Sequence, residues 1–485
     1  MAKVVILGAG ISGHTAARYL HTLLAKQHEV VVVSPLPKWN WIPSNIWVGV
    51  GKMTEQEVTF DLAEIYKKTR IEFHQAKGVS LHPEGDEFHT QAYVTVESTL
   101  PSKVGQIEKI SYDYLINATG PKLNFGATEG LGPEHGHTVS VCTAAHAKEA
   151  NEKLMHIVEA LRRGERKTIV IGTGHGTCTC QGAAFEYIYN VDHILREAGV
   201  RDQARMVWIS NEYELGDFGM GGVHIHRGGY VTNGKTFAES LMAERGIEWI
   251  VRAHVKKVEA NKLHYETLDG AFHELDFDFS MLIPPFSGVG LKAYDQTGQD
   301  ITAKIFAPSG FMKVDADYTQ KPYAEWSPKD WPRTYQNPSY GNLFAIGIAF
   351  APPHLISKPM QSANGTPINP APPRTGMPSA AMAIAVANSV ADMIAGETAP
   401  THHASMAQMG AACIASTGAG LFSGSAASMT VYPIIPDYET YPEYGRDMEL
   451  TFGEIGLAGH WMKFILHHAF IYQAQMKPGW RLLPD

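Results

Sequence analysis

Cysteine thiols are the side chains of this chain best suited to redox chemistry, and two of the four, Cys178 and Cys180, lie two positions apart after a glycine-rich turn. We predict a helix from Cys178 to about Leu195, which places both thiols in its first turn. The positive end of the helix dipole lowers a thiol pKa there and makes thiolate available near neutral pH. We therefore expect reactive thiols at this turn; the alternative is that small cysteines simply pack well there.

The other two cysteines, Cys142 and Cys413, lie far apart in the sequence. Four scattered cysteines do not make the framework of a disulfide-rich protein, and none has the paired spacing of a zinc site. Cys413 lies in an alanine-rich stretch, and we expect it to be structural. No metal site is predicted.

Phosphate binding is the second kind of chemistry that the sequence indicates. The apolar residues 4–7 lead into Gly8, Gly10 and Gly13, and a helix is predicted to follow through about residue 24. Glycines at this spacing permit a tight turn and a close approach of a pyrophosphate to the helix N-terminus. Ser34 replaces the acidic residue common at the end of the next strand, and its hydroxyl can still hydrogen-bond a ribose. The pattern predicts a dinucleotide cofactor.

The same succession of strand, glycine turn, helix and strand returns at residues 167–210. Two such units predict an α/β fold with two Rossmann-like dinucleotide-binding domains, the second inserted in the first, and a C-terminal amphipathic helical region. The expected parts are the first Rossmann-like domain with a β-hairpin insert (1–150), the second Rossmann-like domain (151–335), the return to the first domain with a Pro/Gly-rich loop (336–400), and a C-terminal membrane-interface region (401–485).

Composition and charge narrow the range of partners. The chain has 485 residues and a formal net charge of −9, without a run of Lys or Arg, so nucleic acid is not an expected partner. The first residues lead directly into a predicted buried strand, and a signal peptide is not expected. No window has the ~18 consecutive apolar residues of a transmembrane helix. If the protein meets a membrane, we expect it to lie on the surface.

A C-terminal helix is predicted at residues 454–475, with two distinct faces. Its broad apolar face contains Leu457, Trp461, Ile465, Leu466 and Ala469, and its narrow polar stripe contains His460, Lys463 and His467. Such a helix suits a membrane interface, with the polar stripe on the water side, or a protein core.

Several motifs together resemble those of the sulfide:quinone oxidoreductases. In chain order they are Pro43-Ser44-Asn45-Ile-Trp47, Ala118-Thr119-Gly120-Pro121-Lys122, Ser140-Val-Cys142-Thr-Ala-Ala-His146, Cys180-Gln-Gly-Ala-Ala-Phe-Glu186 and Arg374-Thr375-Gly376. The resemblance implies a membrane-surface flavoprotein that binds FAD at its N-terminus. It also implies that sulfide is oxidised to zero-valent sulfur or polysulfide and that a membrane quinone accepts the electrons.

The candidate catalytic residues are Cys180, Cys142, Cys178 and Glu186. Cys180 and Cys142 match family cysteines, whereas Cys178 and Glu186 are candidates from their positions in the same predicted helix. The FAD-binding residues that the glycine pattern and the resemblance imply are Gly8, Gly10, Gly13, Ser34, Pro43, Ser44, Asn45, Ala118, Thr119, Gly120, Gly347, Arg374, Thr375 and Gly376.

One family cysteine is missing from this chain. Family members place two cysteines beside the isoalloxazine ring; Cys180 matches one, the position of the other is Ala349 here, and Cys142 matches a third cysteine. Cys178 or Cys142 then takes over the missing role, or an external thiol or sulfite accepts the sulfur.

By resemblance, HS⁻ attacks an oxidised sulfur on Cys180 and leaves a persulfide. The thiolate freed in this step adds to the flavin, and collapse of that adduct reduces FAD, which reduces quinone. Glu186 is either a base in this reaction or an ion-paired helix glutamate. Arg374 occupies a position that is lysine in much of the family, where a cation stabilises the reduced flavin.

Three other functions stay open. A type II NADH:quinone oxidoreductase shares both glycine turns and the amphipathic tail, although cysteines at the nicotinamide position argue against it. A flavocytochrome-type sulfide dehydrogenase keeps the thiols, and a sulfide-binding flavoprotein without turnover would explain the missing cysteine. We expect a homo-oligomeric peripheral membrane protein on the cytoplasmic face of the inner membrane.

Overall fold

The fold is taken from a computed structural model, which describes residues 1–374, 376–418 and 424–483. The predicted FAD-binding residue Thr375 lies outside the described residues. The strands are β1 (Lys3–Leu7), β2 (Glu29–Ser34), β3 (Lys38–Asn40), β4 (Thr59–Asp61), β5 (Ile71–His82), β6 (Tyr93–Ser98), β7 (Ile107–Ser111), β8 (Tyr114–Asn117), β9 (Lys122–Leu123), β10 (Lys167–Thr173), β11 (Ala204–Ile209), β12 (His224–Arg227), β13 (Tyr230–Asn233), β14 (Ile247–Ile250), β15 (Ala253–Glu259), β16 (Lys262–Thr267), β17 (Phe272–Asp276), β18 (Phe279–Ile283), β19 (Phe286–Ser287), β20 (Lys292–Ala293), β21 (Leu343–Ala345), β22 (Ala411–Thr417), β23 (Ser425–Val431) and β24 (Phe452–Gly456). The helices are α1 (Ile11–Leu23), α2 (Asn45–Val48), α3 (Glu55–Val58), α4 (Leu62–Tyr66), α5 (Ala144–Arg162), α6 (Gln181–Glu197), α7 (Gly234–Glu244), α8 (Thr302–Ile305), α9 (Gly376–Ala395) and α10 (Leu457–Ala474).

The first Rossmann-like unit is built on a mixed sheet of order β21-β8-β1-β2-β5-β6-β7. The five strands from β21 to β5 run parallel, and β6 and β7 add an antiparallel meander. Strands β1 and β2 are runs of Val, Ile and Leu because both faces of a parallel sheet are buried. Helix α9 packs along α1 over this sheet.

The second unit has a parallel sheet of order β14-β11-β10-β18 and an antiparallel sheet of β15, β16 and β17. Its strands come from the chain between β8 and β21, which are neighbours in the first sheet. The second unit is therefore inserted in the first, and the predicted α/β class is confirmed. The four domain limits stay predictions; helix α5 runs across the limit placed between residues 150 and 151.

Helix α6 starts later than the sequence pattern predicts. It begins at Gln181, and Cys180 caps it with a φ of +64° in the left-handed region. Residue Cys178 is held outside the helix because its carbonyl accepts hydrogen bonds from the Ala371 N–H and from the Gln181 side chain. The prediction that Cys178 and Cys180 occupy the first turn of the helix is therefore wrong.

The C-terminal strands β22, β23 and β24 join β12 and β13 of the second unit in a five-stranded sheet of order β13-β12-β24-β23-β22, and α10 packs on its C-terminal strands. Residues 454–456, predicted as the start of the last helix, belong to β24. Helix α10 turns its polar stripe inward, since His460, Lys463 and His467 are buried. Its exposed residues include Trp461, Met462 and Ile465, which are 40, 51 and 64 % exposed.

Within the described residues, one helix is long and apolar enough to cross a membrane by length and composition. This helix is α9, and more than half of its most apolar window is buried in the protein. The prediction from runs of consecutive apolar residues overlooked it, because Ser379, Asn388 and Asp392 are among the residues that interrupt the run. Its packing on α1 is that of a core helix.

Candidate active site

A glycine cradle forms at the start of α1. At Gly8, where φ is +97°, a Cβ would lie 2.2 Å from the Ala118 oxygen, and at Gly13 it would lie 2.0 Å from the Gly8 oxygen. Gly10 differs, because a Cβ there would meet nothing within 4 Å. Two glycines are thus needed for packing, and the third leaves open space in front of the helix N-terminus, where a pyrophosphate fits.

Other predicted FAD-binding residues meet at this cradle. A Cβ on Gly347, where φ is +64°, would lie 2.5 Å from Oγ of Ser12 on α1. Gly376 starts α9, and a Cβ there would lie 3.5 Å from the Ile11 side chain. Thr119 donates a hydrogen bond from Oγ1 to Asn117 at 2.8 Å, and the next residue, Gly120, has a φ of +68° and open space beside it. These turns come from three distant parts of the chain.

Ser34 and residues 43–45 belong to the stretch of chain that runs from the end of β2 to the start of α2. Ser34 ends β2, where its hydroxyl donates to the carbonyl of Leu36 at 3.2 Å. Pro43 is half-buried, whereas Ser44 and Asn45 are fully buried. The Asn45 side chain donates to the Val141 carbonyl at 3.2 Å, one residue before Cys142, and so connects this segment to the thiols.

Three thiols form a cluster beside the cradle. Cys142 interacts electrostatically with Cys180, and both interact with Cys178. Cys178 is fully buried and donates from Sγ to the Ile283 carbonyl at 3.0 Å, whereas Cys142 and Cys180 are half-buried. Burial raises the pKa of Cys142 to about 11 and also raises the pKa of Cys178 and Cys180. The expectation of lowered thiol pKa values is wrong, because desolvation by burial outweighs the hydrogen bonds and the Arg374 charge that oppose it.

Arg374 supplies positive charge to this cluster. Its guanidinium is 5 % exposed and donates from Nη1 to the carbonyls of Ile348 and Phe350, at 2.9 and 2.6 Å. The Arg374 charge lowers the pKa of Cys180, in opposition to burial. Among the described residues, Arg374 Nε has no hydrogen-bond partner. A buried cation with a free donor suits an anionic ligand, so this residue and the cradle together fit a flavin dinucleotide.

The second glycine turn is closed by the Pro/Gly-rich loop. The N–H of Asn369 donates to the Gly176 carbonyl at 2.6 Å, and Thr179 donates to the Pro372 carbonyl at 3.2 Å. A Cβ on Gly176 would lie 2.3 Å from the Pro367 oxygen. The backbone that would receive a nicotinamide dinucleotide is therefore covered by this chain's own residues 367–372.

Glu186 contacts α10 through Lys463. It is 6 % exposed, forms an ion pair with Lys463, and accepts the Ser416 N–H at 3.1 Å. Burial raises the pKa of Glu186, while Lys463 opposes the rise. Of the two interpretations of Glu186, the structure shows the ion pair. Sequence reasoning placed Lys463 on the water side of the helix and so missed this contact.

Cys413, which sequence reasoning treated as structural, lies close to the start of α6. A Cβ on Gly182 would lie 2.9 Å from Sγ of Cys413. The thiol also interacts electrostatically with Glu186 and Lys463, and burial raises its pKa to about 12. Ala349, which replaces the family cysteine, is buried in a short 3-10 helix.

Comparisons with known proteins identify the family of the chain. Residues 2–322 match the family described as pyridine nucleotide-disulphide oxidoreductase. The sulfide-quinone reductase of Aquifex aeolicus (strain VF5) is 32 % identical over 478 residues, which cover 98 % of this chain and 92 % of that protein. The X-ray structure of the sulfide:quinone oxidoreductase from Aquifex aeolicus superposes with a TM-score of 0.74 at 28 % identity, covering 98 % of this chain and 92 % of that one. NDH2 from Plasmodium falciparum in complex with NADH shares the fold alone, with a TM-score of 0.55 at 14 % identity over 88 % of this chain and 89 % of that one.

Proposed function

Because the chain belongs to the pyridine nucleotide-disulphide oxidoreductase family and, within it, to the sulfide-quinone reductases, we propose that it oxidises sulfide at its cysteines and passes the electrons to a membrane quinone. It is a flavoprotein oxidoreductase, and FAD is its cofactor. The observation that carries the proposal is the cluster of Cys142, Cys178 and Cys180 beside Arg374, at a glycine turn that the chain closes to dinucleotides.

Oxidation of sulfide at this cluster conserves atoms and electrons when FAD is the electron acceptor. Oxidation of HS⁻ to zero-valent sulfur releases two electrons and one proton, and the sulfur remains on Cys180 as a persulfide. When bound, FAD accepts the two electrons and transfers them to quinone. Cys180 holds the sulfur, and Arg374 favours the anionic forms of that sulfur and of the cofactor beside it.

Cys142 is the thiol we assign to the role of the missing family cysteine. Cys142 and Cys180 are both half-buried and interact electrostatically with each other, which supports this assignment. Cys178 is less suitable, because it is fully buried and its S–H is bound to a backbone carbonyl. We assign no acid-base role to Glu186, because its carboxylate is paired with Lys463.

The outer face of α10 supports attachment to a membrane. A helix on the surface of a water-soluble protein buries its apolar side. Helix α10 instead buries polar residues and exposes Trp461, Met462 and Ile465. Lipid is the environment in which that arrangement is favourable, and it also dissolves quinone. The cytoplasmic face of the inner membrane and a homo-oligomeric state stay predictions.

Anaerobic titration with sulfide tests the proposal. Sulfide is expected to bleach the flavin of the wild-type protein, and a short-chain quinone is expected to restore its colour. The Cys180→Ser variant should do neither, whereas Cys413→Ser, a matched change at a thiol outside the cluster, should behave as wild type. Loss of bleaching in Cys142→Ser but not in Cys178→Ser would support our choice between these two thiols. An unbleached flavin in the wild type would refute the function.

The NADH dehydrogenase alternative is disfavoured by the closed second glycine turn. Residues 369 and 371 lie over this turn, hydrogen-bonded to Gly176 and Cys178, and the Gly176 N–H, a donor that a pyrophosphate would need, already donates to Nδ1 of His254 at 3.1 Å. Addition of NADH is therefore expected to leave the flavin oxidised. Bleaching by NADH at a rate comparable with that produced by sulfide would favour the alternative.

A further inference from the structure

One buried histidine of α10 joins the protein surface to a segment of the flavin site. His467 is 3 % exposed, and its Nδ1 lies 2.8 Å from Oγ of the buried Ser44. On its other side, its ring centroid is 4.9 Å from that of His468, which is exposed. The exposed carboxylate of Glu57 interacts electrostatically with both histidines. These side chains place ionisable groups between the protein surface and Ser44, and the innermost contact, between His467 and Ser44, is a hydrogen bond.

We propose that His467 carries protons from Glu57 and His468 through Ser44 to the quinone while it is reduced. The inference rests on the proposed function. Reduction of a quinone to a hydroquinone takes up two electrons and two protons, whereas oxidation of one HS⁻ releases one proton. At least one further proton must therefore come from solvent for each turnover.

The exposed apolar residues of α10, Trp461, Met462 and Ile465, are the ones that we place against lipid, and they cannot carry that proton. The exposed His468 of the same helix and the exposed Glu57 are the polar groups at which a proton can enter. A route through the protein is therefore required, and the polar stripe is the side of α10 that faces residues 44–47. Trp41, three residues before Ser44, stacks on Phe470 of the same helix with ring centroids 4.6 Å apart. The helix thus separates lipid from the flavin-binding segment.

The surroundings of His467 keep its imidazole uncharged. Burial, together with the charges of His468 and Lys463, lowers the pKa of His467 to about 4, while Glu57 opposes the change. Its other contacts include the Ser44 hydroxyl and the ring of Trp47, whose centroid is 6.1 Å away. The imidazole is thus neutral near pH 7. A neutral imidazole can accept a proton on one nitrogen while it donates from the other.

The same helix provides a matched control. His460, seven positions earlier on the buried stripe, places its Nδ1 2.6 Å from Oγ of Ser416, so it has the same type of hydrogen bond and is equally buried. Ser416 belongs to β22, which is outside the flavin-binding segments. Asparagine can replace Nδ1 of either histidine in the hydrogen bond, but it cannot exchange a proton near neutral pH.

The test compares His467→Asn with His460→Asn in the FAD-loaded protein. Each protein is reduced with dithionite, so that the sulfide reaction is bypassed, and is then mixed with a short-chain quinone or with ferricyanide. Ferricyanide takes electrons without protons. For His467→Asn we expect reoxidation by quinone to slow at least tenfold, with a larger solvent deuterium isotope effect and partial rescue by added imidazole, and reoxidation by ferricyanide to stay unchanged.

His460→Asn is expected to match wild type with both oxidants. Flotation with anionic phospholipid vesicles and the thermal unfolding midpoint should be the same for the two variants, which excludes a difference in the attachment of α10. Unchanged reoxidation of His467→Asn by quinone, or equal slowing with quinone and ferricyanide, would overturn the inference. If wild-type protein is reduced by dithionite but is not reoxidised by any quinone, the proposed function itself is wrong.

Discussion

Replacement of Lys463 by methionine should destabilise the protein strongly, because it leaves the carboxylate of Glu186 buried without its cation. The two side chains are 10 and 9 % exposed, so solvent cannot substitute for the lost partner. Removing one member of a buried ion pair typically costs about 3–5 kcal/mol. The Ser416 N–H still donates to Glu186, so we expect a loss near the lower end, about 3 kcal/mol.

The loss of stability in Lys463→Met should increase as the pH rises. Burial raises the pKa of Glu186, and Lys463 is the main group that opposes this rise. Without Lys463, the folded-state pKa of the Glu186 carboxyl should therefore lie further above its ordinary value of 4.5. Such a group contributes full stability below its unfolded-state pKa and loses that contribution as pH rises through its folded-state pKa. The difference between wild type and Lys463→Met should therefore be large at pH 8 and small near pH 4.5.

Denaturant unfolding of the FAD-loaded protein, followed by tryptophan fluorescence at both pH values, measures this loss. Glu186→Gln in the Lys463→Met background should recover most of the stability, because a neutral amide replaces the unpaired charge. Lys329→Met is the control, since its ion pair with Glu439 lies at the surface and should contribute nothing measurable. A loss below about 1 kcal/mol at pH 8, or an equal loss at both pH values, would refute the reasoning.

Three further changes test the cofactor cradle, the thiol cluster and the lipid-facing helix. Gly10→Ala should fold normally, because its Cβ meets nothing within 4 Å, yet should retain little FAD after gel filtration, as flavin absorbance per protein will show. Arg374→Gln should raise the pKa of Cys180, because the Arg374 charge lowers it, and iodoacetamide should then alkylate that thiol more slowly at pH 8. Ile465→Glu should reduce flotation with phospholipid vesicles at least fivefold, whereas Leu36→Glu, also about two-thirds exposed, should not.

The two Rossmann-like units could be predicted because local patterns specify them. Continuous apolar runs indicate strands buried on both faces, and Gly8 and Gly13 occupy places where a Cβ would collide with backbone. The start of α6 could not be predicted in this way. Cys178 stays outside the helix because residue 371, almost 200 positions later, donates a hydrogen bond to its carbonyl. Local propensity carries no information on such a contact.

The thiol cluster was predicted as a set of residues, but its electrostatics were not. Spacing identified Cys178 and Cys180, and the family resemblance added Cys142. The dipole argument assumed thiols exposed at a helix end, whereas these thiols are desolvated and Arg374 is the source of positive charge that lowers the pKa of Cys180. Burial depends on the packing of several distant segments, so a sequence pattern alone cannot give the direction of a thiol pKa shift.

The orientation of α10 shows most directly what a hydrophobic pattern leaves undecided. A helix with one broad apolar face and one polar stripe satisfies the same periodicity whichever side faces the protein. The polar partners decide, and they lie far away in the chain: Glu186 is 277 positions from Lys463, and Ser44 is 423 positions from His467. Once these buried polar groups are paired, the apolar face must point outward. The same contacts that attach α10 thus create both the surface that we assign to lipid and the buried route that we assign to protons.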